Sequence, residues 1–362
     1  MSRNDERWMA AALTLAGKGV GLTRPNPPVG AVVVRGNRQV GAGWHRRCGG
    51  PHAERYALDE AGDQARGAAL YVSLEPCSTT GRTSACVDAI IDAGIRRVVV
   101  SIPDPNPTHA GRGLRKLRAR GIEVTSGIGR DAGEALIEPF ARWVTTGLPF
   151  VTLKLACTLD GRLADRAGQS TWITGASARR RVHDLRRRVD GIMVGAATVR
   201  ADNPALIPRP ARGRSPFRVI VSTDGKLPSA LDLLCDTHAG RTIVAATAAC
   251  PAKRRARLER HGARVWTLPA SGRGVDLRAL MRALAAEGVL HILCEGGGEL
   301  AASLVRAGLV DEYQIFYAPC LLGGDARAAF AGKGWPLARA PRLRIVETCA
   351  FDDDLLVRAR MA

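Results

Sequence analysis

Short apolar runs alternate with amphipathic segments along the first part of the chain. Runs rich in β-branched residues predict buried strands, and helical spacing of apolar residues predicts helices. The predicted strands cover residues 29–34, 40–44, 69–74, 97–101 and 122–126. The predicted helices cover residues 5–17, 52–61, 84–93 and 112–120, and a last helix ends near residue 146. This alternation predicts an α/β domain with a partly parallel sheet.

The same alternation resumes after the turn-forming sequence Gly147-Leu148-Pro149. Apolar runs at residues 150–156, 190–195, 217–222, 242–246, 264–268 and 289–295 predict strands, with helices between several of them. A length of 362 residues is enough for about two domains. We therefore predict one domain over residues 1–146 and a second α/β domain over residues 147–362.

Two features of the second half suggest an anionic ligand. Gly296-Gly297-Gly298 separates the last of these strands from a helix predicted over 299–307. Glycines at a helix N-terminus let a phosphate approach free backbone N–H groups, although a flexible turn is the alternative. The spacing is not that of a Rossmann fingerprint. Lys154 interrupts an apolar strand, so its amine either reaches the sheet end or faces an anionic ligand.

Composition narrows the function classes. The hydrophobic content of 46% and charged content of 24% are typical of a globular protein. Nine scattered cysteines predict no disulfide framework and favour a reducing cytoplasm. No apolar run is long enough for a transmembrane helix. The net charge of +19 is compatible with nucleic acid, but aromatics make up only 4% of the residues, which is poor for base stacking. We interpret the charge as an aid to small anionic ligands, with no nucleic-acid or membrane partner.

The strongest chemical signal is His52-Ala53-Glu54, taken together with Pro76-Cys77 and Cys86. One imidazole and two thiolates can bind zinc and leave its fourth position to water, whose pKa then falls to about 7. A glutamate that is not a ligand can carry protons, and this combination is typical of zinc-dependent nucleobase deaminases. In the usual sequence pattern of these deaminases the second cysteine follows the first by three residues, whereas in this chain it follows by nine.

Three hypotheses use this motif. The first is a deaminase of small molecules, and the second is an RNA-editing deaminase with a basic RNA-binding second half. The third is a binding module stabilised by a structural zinc. A structural zinc has four protein ligands and needs no adjacent acid, so Glu54 argues against the third hypothesis.

The zinc-site sequence from Pro76 to Cys86, and Asn26-Pro27-Pro28-Val29-Gly30, resemble the deaminase domain of bifunctional riboflavin-biosynthesis deaminase-reductases. Thr79 stands where that family usually has histidine, and Ser84-Ala85 where it has two prolines. The second half resembles the reductase domain of the same family in Lys154-Leu155-Ala156, Leu159-Asp160-Gly161-Arg162, Ser170-Thr171-Trp172-Ile173-Thr174-Gly175, His183-Asp184-Leu185-Arg186, Asp202-Asn203-Pro204 and Glu295-Gly296-Gly297-Gly298.

The resemblance implies a cytidine-deaminase-like three-layer α/β/α domain followed by a dihydrofolate-reductase-like α/β domain. It implies a hydrolase that uses zinc and an oxidoreductase that uses NADPH. The implied substrate of the first half is 2,5-diamino-6-(5-phosphoribosylamino)pyrimidin-4(3H)-one, and the second half would reduce the ribosyl group to ribityl. The family also suggests a homo-oligomer, a dimer or larger.

The resemblance also implies a role for individual residues. Glu54 would be catalytic, with His52, Cys77 and Cys86 as zinc ligands. The residues expected at the cofactor are Ala156, Trp172, Thr198, Asp202, Thr223, Gly297, Gly298, Glu299, Leu300, Ala301, Ala302 and Ser303. Those expected at the substrates are Asn26, His45, Ser170, Arg186, Leu206, Arg209 and Glu295. The family usually has Asp-Ser where this chain has Ser222-Thr223.

Taken singly, several of these residues have structural interpretations. Asn26 precedes a proline, as turn residues often do, and His45 could be an ordinary loop histidine. Trp172 could be a core residue, whereas Arg186 could lie on a solvated helix face. Arg209, between two prolines, could belong to an exposed loop. The residues themselves leave these alternatives open.

Overall fold

The computed structural model describes residues 3–79, 85–210, 214–272 and 274–362. The chain forms two units, Met1–Leu148 and Pro149–Ala362. No helix within the described ranges has the length and apolar content that crossing a membrane requires.

The first unit follows the predicted order of elements closely. Its helices are α1 (Arg3–Gly17), α2 (Ala53–Ala61), α3 (Cys86–Asp92), α4 (Arg112–Ala119) and α5 (Arg130–Thr146). Its strands are β1 (Gly30–Arg35), β2 (Arg38–Trp44), β3 (Ala69–Leu74), β4 (Arg97–Ile102) and β5 (Glu123–Ser126). The helix predicted from residue 84 is observed from Cys86, and Ser84 itself lies outside the described residues.

The five strands form one sheet in the order β2-β1-β3-β4-β5. Strand β1 pairs antiparallel with both β2 and β3, whereas β3, β4 and β5 run parallel. The loops after β3 and β4 therefore leave the same edge of the sheet, which is where sites in parallel sheets usually lie. The zinc-site sequence follows β3.

Alternation along the strands creates an apolar layer on each face of this sheet. Val33, Val72 and Val100 pack in one cluster with residues of α2, α3 and α4. Val32 and Val99, one position away, pack in a second cluster with residues of α1. Because successive strand side chains point to opposite faces, uninterrupted valine runs bury both faces and produce three layers.

The second unit contains the remaining elements. Its helices are α6 (Ala176–Arg188), α7 (Ala196–Asp202), α8 (Asp232–Cys235), α9 (Ala252–Arg260), α10 (Leu277–Ala286) and α11 (Gly298–Arg306). Its strands are β6 (Phe150–Thr158), β7 (Arg162–Ala164), β8 (Gly191–Gly195), β9 (Phe217–Val221), β10 (Thr242–Ala246), β11 (Arg264–Thr267), β12 (Ala270–Ser271), β13 (Gly274–Val275), β14 (His291–Cys294), β15 (Glu312–Ala318), β16 (Arg327–Ala328), β17 (Leu343–Phe351) and β18 (Asp354–Met361).

A nine-stranded sheet with the order β11-β10-β9-β8-β14-β6-β15-β18-β17 organises this unit. Its parallel strands are β11, β10, β9, β8, β14, β6 and β15. Strands β18 and β17 continue the sheet as an antiparallel hairpin. One apolar cluster joins strand residues Ile192, Ile220 and Val244 to Val199 of α7 and Leu258 of α9. The glycine triplet follows β14, in the middle of the parallel strands.

Candidate functional site

Three separate elements bring the predicted zinc ligands together. His52 is the N-cap residue of α2, Cys77 follows β3, and Cys86 is the first residue of α3. The Nδ1 atom of His52 lies 3.2 Å from Sγ of Cys86 and 3.5 Å from Sγ of Cys77. The three ligand atoms lie within 4.8 Å of one another.

These distances fit a zinc ion. Tetrahedral zinc with bonds of about 2.0–2.1 Å to nitrogen and about 2.3 Å to sulfur separates the two atoms by roughly 3.5 Å. The backbone N–H of Cys86 donates to Sγ of Cys77 at 3.3 Å, as expected for a thiolate acceptor. The Cys86 thiol also hydrogen-bonds to Cys77, which lowers the pKa of Cys77 to about 4, while the same contact raises the pKa of Cys86.

Two glycines in β2 determine how closely α2 approaches the sheet. A side chain at Gly41 would place Cβ 2.1 Å from the carbonyl oxygen of Ala57, and one at Gly43 would place it 2.4 Å from that of Ala53. Real Cβ atoms do not approach backbone this closely, so α2 rests directly on the backbone of β2. The first turn of α2, which carries His52 and Glu54, is positioned by this contact.

Glu54 lies in the first turn of α2 and is only 3% exposed. Its Oε2 atom is buried and makes no hydrogen bond among the described residues. Burial raises the pKa of Glu54, and the charge of His52 opposes this only in part. A buried carboxyl oxygen without a partner, beside three metal ligands, fits a group that exchanges protons with a water on the metal.

Asn26 and His45 form a hydrogen-bonded pair beside the zinc ligands. The imidazole Nδ1 of His45 lies 2.9 Å from the carbonyl oxygen of Pro51, and its Nε2 lies 3.1 Å from Nδ2 of Asn26. A carbonyl can only accept, so Nδ1 carries the proton and Nε2 accepts from the Asn26 amide. The ring of His45 meets that of His52 edge-on, with centroids 5.3 Å apart. Burial lowers the pKa of His45, which keeps the ring neutral.

Glu75, two residues before Cys77, belongs to the site although the sequence patterns did not single it out. This buried carboxylate accepts backbone N–H groups at both ends of the loop after β4: from Asp104 at 3.1 Å and Gly111 at 2.9 Å on Oε2, and from Gly113 at 2.8 Å on Oε1. It thereby fixes the neighbouring loop and the start of α4 next to the zinc-site loop. An acidic residue directly after an apolar strand was the available signal. Thr79 is exposed, and residues 80–84 of the motif lie outside the described residues.

A cavity of about 1700 Å³ opens in the second unit. It brings together most of the residues that the sequence assigned to the cofactor and the second substrate. They are Ala156, Ser170, Trp172, Arg186, Thr198, Asp202, Leu206, Arg209, Thr223, Glu295, Gly297, Gly298, Glu299, Leu300 and Ser303. Ala301 and Ala302 do not line it, because their side chains are fully buried in the core side of α11.

The glycine triplet forms the floor of this cavity at the N-terminus of α11. Gly297 is the N-cap residue, and Gly298 is the first helical residue. A Cβ at Gly298 would lie 2.3 Å from the carbonyl oxygen of Ala328, whereas one at Gly297 would meet only Oγ1 of Thr198, at 3.3 Å. The exposed backbone N–H groups of the first turn suit the phosphates of a dinucleotide.

Charged groups meet at the other side of the glycine triplet. The guanidinium of Arg186 donates to both carboxylate oxygens of Glu295, at 2.7 and 2.8 Å, and to the carbonyl oxygen of Ile207 at 3.2 Å. Lys154 also lines the cavity, with Nζ 5.9 Å from the ring centroid of Phe316. Burial lowers the pKa of Lys154, and Glu295 opposes this shift. Lys154 thus lies in the middle of β6 rather than at the sheet end, and it lines the cavity.

Two further contacts connect predicted residues at the cavity wall. The hydroxyl of Ser170 donates to Oδ1 of Asp202 at 3.2 Å. Trp172 is 73% exposed, with the guanidinium of Arg179 stacked 4.5 Å from its ring centroid. An exposed tryptophan over a cavity is not a core residue, so the structural interpretation of Trp172 is wrong. The Arg186 side chain is only 16% exposed and lines the cavity, so it does not lie on a solvated helix face.

Two family models match the chain. The model of the cytidine and deoxycytidylate deaminase zinc-binding region matches residues 2–102. The model of the RibD C-terminal domain matches residues 149–357. The second match covers most of the second unit and leaves the hypothesis of a basic RNA-binding half without support.

Similar proteins match over nearly the whole chain. Riboflavin biosynthesis protein RibD of Bacillus amyloliquefaciens is 39% identical over 358 residues, covering 98% of this chain and 96% of that protein. RibD of Escherichia coli (strain K12) is 41% identical, with 95% of both chains covered.

Solved structures agree in fold as well as in sequence. RibD of Acinetobacter baumannii (form 1) is 36% identical, with a TM-score of 0.90 and 99% of both chains covered. A Thermotoga maritima structure, described as a diaminohydroxyphosphoribosylaminopyrimidine deaminase/5-amino-6-(5-phosphoribosylamino)uracil reductase, is 35% identical, with a TM-score of 0.89 and the same coverage.

These similarities confirm the fold class that the sequence resemblance implied, with a cytidine-deaminase-like domain followed by a RibD reductase domain. They also confirm zinc for the first domain and NADPH for the second. The chain therefore belongs to the RibD family and is a bifunctional deaminase and reductase of riboflavin biosynthesis.

Proposed function

We propose that the first unit deaminates 2,5-diamino-6-(5-phosphoribosylamino)pyrimidin-4(3H)-one and that the second unit reduces the ribosyl group of the product to ribityl. The observation that carries this proposal is the presence of two different sites in one chain. A His-Cys-Cys cluster with a buried acid lies in the first unit, and a glycine-floored cavity with buried charges lies in the second.

In the deaminase site, His52, Cys77 and Cys86 would hold zinc, which supplies an acidic water for attack on the ring carbon that bears the amino group. Glu54 would pass one proton of this water to the ring nitrogen and the second to the departing amine, so that the ring carbon becomes a carbonyl and ammonia leaves. The raised pKa of Glu54 suits this double role, because a proton carrier works best near the operating pH.

Asn26 would recognise the edge of the pyrimidine ring. Because its Nδ2 donates to His45, its Oδ1 is oriented as an acceptor for a ring N–H or amino group. His45 is held in turn by the Pro51 carbonyl, so the pair presents a fixed orientation. The backbone of Asn26 lies in a turn closed by its N–H to the Thr23 carbonyl at 3.0 Å, and the proposed role adds substrate recognition by its side chain.

In the reductase site, NADPH would lie along the cavity, with its phosphates at Gly297 and Gly298 and its remaining contacts from Ala156, Trp172, Thr198, Asp202, Thr223 and Ser303. NADPH supplies the hydride that reduces the sugar carbon bonded to the amine, and the C–O bond of the ring breaks as the oxygen takes a proton. The first turn of α11, from Glu299 and Leu300 to Ala301 and Ala302, would contribute backbone rather than side chains.

Glu295, Arg186, Ser170, Leu206 and Arg209 would bind the pyrimidine and its phosphate. Arginine suits phosphate because its guanidinium donates two parallel hydrogen bonds. Lys154 would add a donor to the substrate from the cavity floor, beside Glu295.

The direct test gives the purified protein the diamino substrate and NADPH, and measures ammonia release and NADPH oxidation. Both should occur, and removal of zinc by a chelator should stop ammonia release. Reduction of the separately supplied deaminated substrate should continue after chelation. If the untreated protein shows neither reaction, the proposal is wrong.

We further propose a homo-oligomer in the cytoplasm. Strand β17 forms the edge of the large sheet, and it exposes Ile345 (62%), Val346 (40%) and Leu343 (38%). An exposed apolar edge strand tends to pair with a partner. None of the nine cysteines of the chain forms a disulfide, which supports a reducing compartment. Light scattering should give at least twice the chain mass, and Ile345→Glu should lower it, whereas a monomeric wild type would refute the oligomer.

A further inference from the structure

Arg218 is an arginine with no exposed surface, inside the apolar strand β9. Each nitrogen of its guanidinium has a partner. The contacts are Nε to Oγ1 of Thr242 at 3.1 Å, Nη1 to Oδ2 of Asp236 at 2.6 Å and to the carbonyl of Ala205 at 3.4 Å, and Nη2 to Oδ1 of Asp236 at 2.8 Å and to the carbonyl of Leu233 at 2.9 Å. The charge is therefore fully enclosed by protein.

Stability alone is a weak reason for this arrangement. Removing an ion pair from water costs several kcal/mol per ion, and well-packed apolar residues in its place are often equally stable or more so. A buried arginine that bonds several chain segments instead selects one conformation of those segments.

Arg218 joins α8 to the loop that follows α7, and this loop forms part of the cavity wall. Leu233 and Asp236 belong to α8 and its end, whereas Ala205 belongs to the loop after α7, and Ala205 lines the cavity. The same two segments are joined again at the cavity surface. Nδ2 of Asn203 donates to Oδ1 of Asp232, and the backbone N–H of Asp232 donates to Oδ1 of Asn203, both at 3.0 Å.

The loop is held at every second carbonyl by an arginine. Arg218 binds the carbonyl of residue 205, Arg186 that of Ile207 at 3.2 Å, and Arg187 that of Arg209 at 3.2 Å. Between the first two of these contacts, Leu206 adopts a φ of +50° with its side chain buried. A residue with Cβ adopts this left-handed conformation only where its surroundings enforce it.

We infer that Arg218, with Asp236 as its counter-ion, is a positioning residue for the pyrimidine substrate of the reductase. It contacts no substrate itself. It sets the conformation of the segment from Ala205 to Arg209, which presents Leu206 and Arg209 to the cavity. The inference rests on the proposed role of these two residues in substrate binding.

The test replaces Arg218 by lysine, which keeps the charge but cannot donate two parallel hydrogen bonds. The KM of Arg218→Lys for the deaminated pyrimidine should rise about tenfold or more, equivalent to roughly 1.4 kcal/mol of binding. The Kd of NADPH, measured by fluorescence titration without substrate, should change less than about threefold, because the glycine floor after β14 is not part of the loop. The deaminase activity of the same chain gives the concentration of protein with an intact first unit, and saturable NADPH binding shows that the second unit is folded.

Arg264→Lys is the matched control. Arg264 makes the same bidentate contact, with Glu287 at 2.6 and 3.0 Å, in the same sheet but at the surface. Neither KM nor the NADPH Kd should change in this variant. Asp236→Asn is a second variant that keeps the shape of the pair and should raise the same KM.

The outcomes separate this inference from the proposed function. Wild-type KM in folded Arg218→Lys overturns the inference, and so does a parallel loss of NADPH binding in Arg218→Lys and Asp236→Asn, which would show a general structural role. If instead the wild type itself does not reduce this pyrimidine, the proposed function fails and takes the inference with it.

Discussion

Arg186 and Glu295 lie side by side as a bidentate ion pair, with Nε to Oε1 at 2.7 Å and Nη2 to Oε2 at 2.8 Å. Burial acts to raise the pKa of Glu295, but the charge and hydrogen bonds of Arg186 outweigh it, and the net shift is downward. Arg186 and Glu295, which the sequence assigned separately to substrate binding, therefore act as one ion pair. A change in either one leaves a buried charge without its partner.

Glu295→Gln should lower kcat/KM of the reductase about a hundredfold. Loss of one member of a buried, hydrogen-bonded charge pair costs roughly 2–5 kcal/mol, mostly because the other charge is left unpaired. NADPH oxidation with the deaminated substrate measures the effect. Glu287→Gln, which changes the exposed partner of Arg264, is the control and should behave as wild type. Unchanged kcat/KM in Glu295→Gln would remove Glu295 from the reductase site.

Glu54→Gln should keep zinc and lose deamination. The three ligands do not include Glu54, whereas proton transfer by a positioned side chain is worth about 10²–10⁴-fold in rate. Metal analysis and ammonia release measure the two properties, and the reductase rate of the same chain should not change. Asp59→Asn alters an exposed acid on the same helix and should leave all three unchanged. Full deaminase activity in Glu54→Gln would contradict the assigned role.

Gly298→Ala should weaken NADPH binding. The added methyl group would meet the carbonyl of Ala328 at 2.3 Å, so the helix start or the facing segment must move away from its present position. We expect the Kd of NADPH, from fluorescence titration, to rise at least about tenfold, or roughly 1.4 kcal/mol. Gly240→Ala, where nothing lies within 4 Å of the new methyl group, should leave the Kd unchanged. Equal affinities would place the phosphates elsewhere in the cavity.

Asp5→Asn should destabilise the first unit at neutral pH but not in strong acid. Arg97 donates to both oxygens of Asp5, at 2.8 and 3.2 Å, and this hydrogen bonding lowers the pKa of Asp5 below its usual 3.8. The folded state thus binds the proton more weakly than the unfolded state. The stabilisation is present above the usual pKa and disappears as the pH falls through the lowered folded value.

At pH 7 the loss in the free energy of unfolding should be about 1.5–3 kcal/mol, as for hydrogen bonds to a charged group. Denaturant titration of wild type and Asp5→Asn at a series of pH values measures it, and the two curves should converge below the folded pKa of Asp5. Asp63→Asn, at an exposed acid, should be neutral throughout. A pH-independent difference would show that shape rather than charge matters at Asp5.

Local patterns were sufficient for most of the architecture. The valine runs of β1 and β4 revealed both buried faces of the first sheet, and the glycine triplet revealed the helix start at the cavity floor. The apolar pattern assigned nothing after residue 307. It missed the buried strand β15, whose apolar residues are interrupted by Glu312 and Gln314. It also missed β17, which is exposed along most of its length and lacks the contrast that identifies a strand. The place of this hairpin at the sheet edge depends on the pairing of β18 with β15, which lies outside any local window around β17.

The residues of the two sites were also predictable from the sequence only in part. His52, Cys77 and Cys86 could be found because zinc chemistry restricts the residue types, wherever they occur in the chain. The pairing of Arg186 with Glu295 could not, since 109 positions separate them and only the fold shows that they touch. Arg218 carried a usable signal, a charge inside an apolar strand, of the kind that identified Lys154.

The contact between β2 and α2 has a consequence for how this enzyme can vary. With glycine at both Gly41 and Gly43, main chain lies directly on main chain, and no side chain is left between strand and helix whose size could be trimmed or enlarged. Substitutions that change side-chain volume at this contact therefore cannot shift the metal ligands in small steps. Evolution or a protein engineer must accept the inherited spacing or rebuild the whole strand–helix unit in one step.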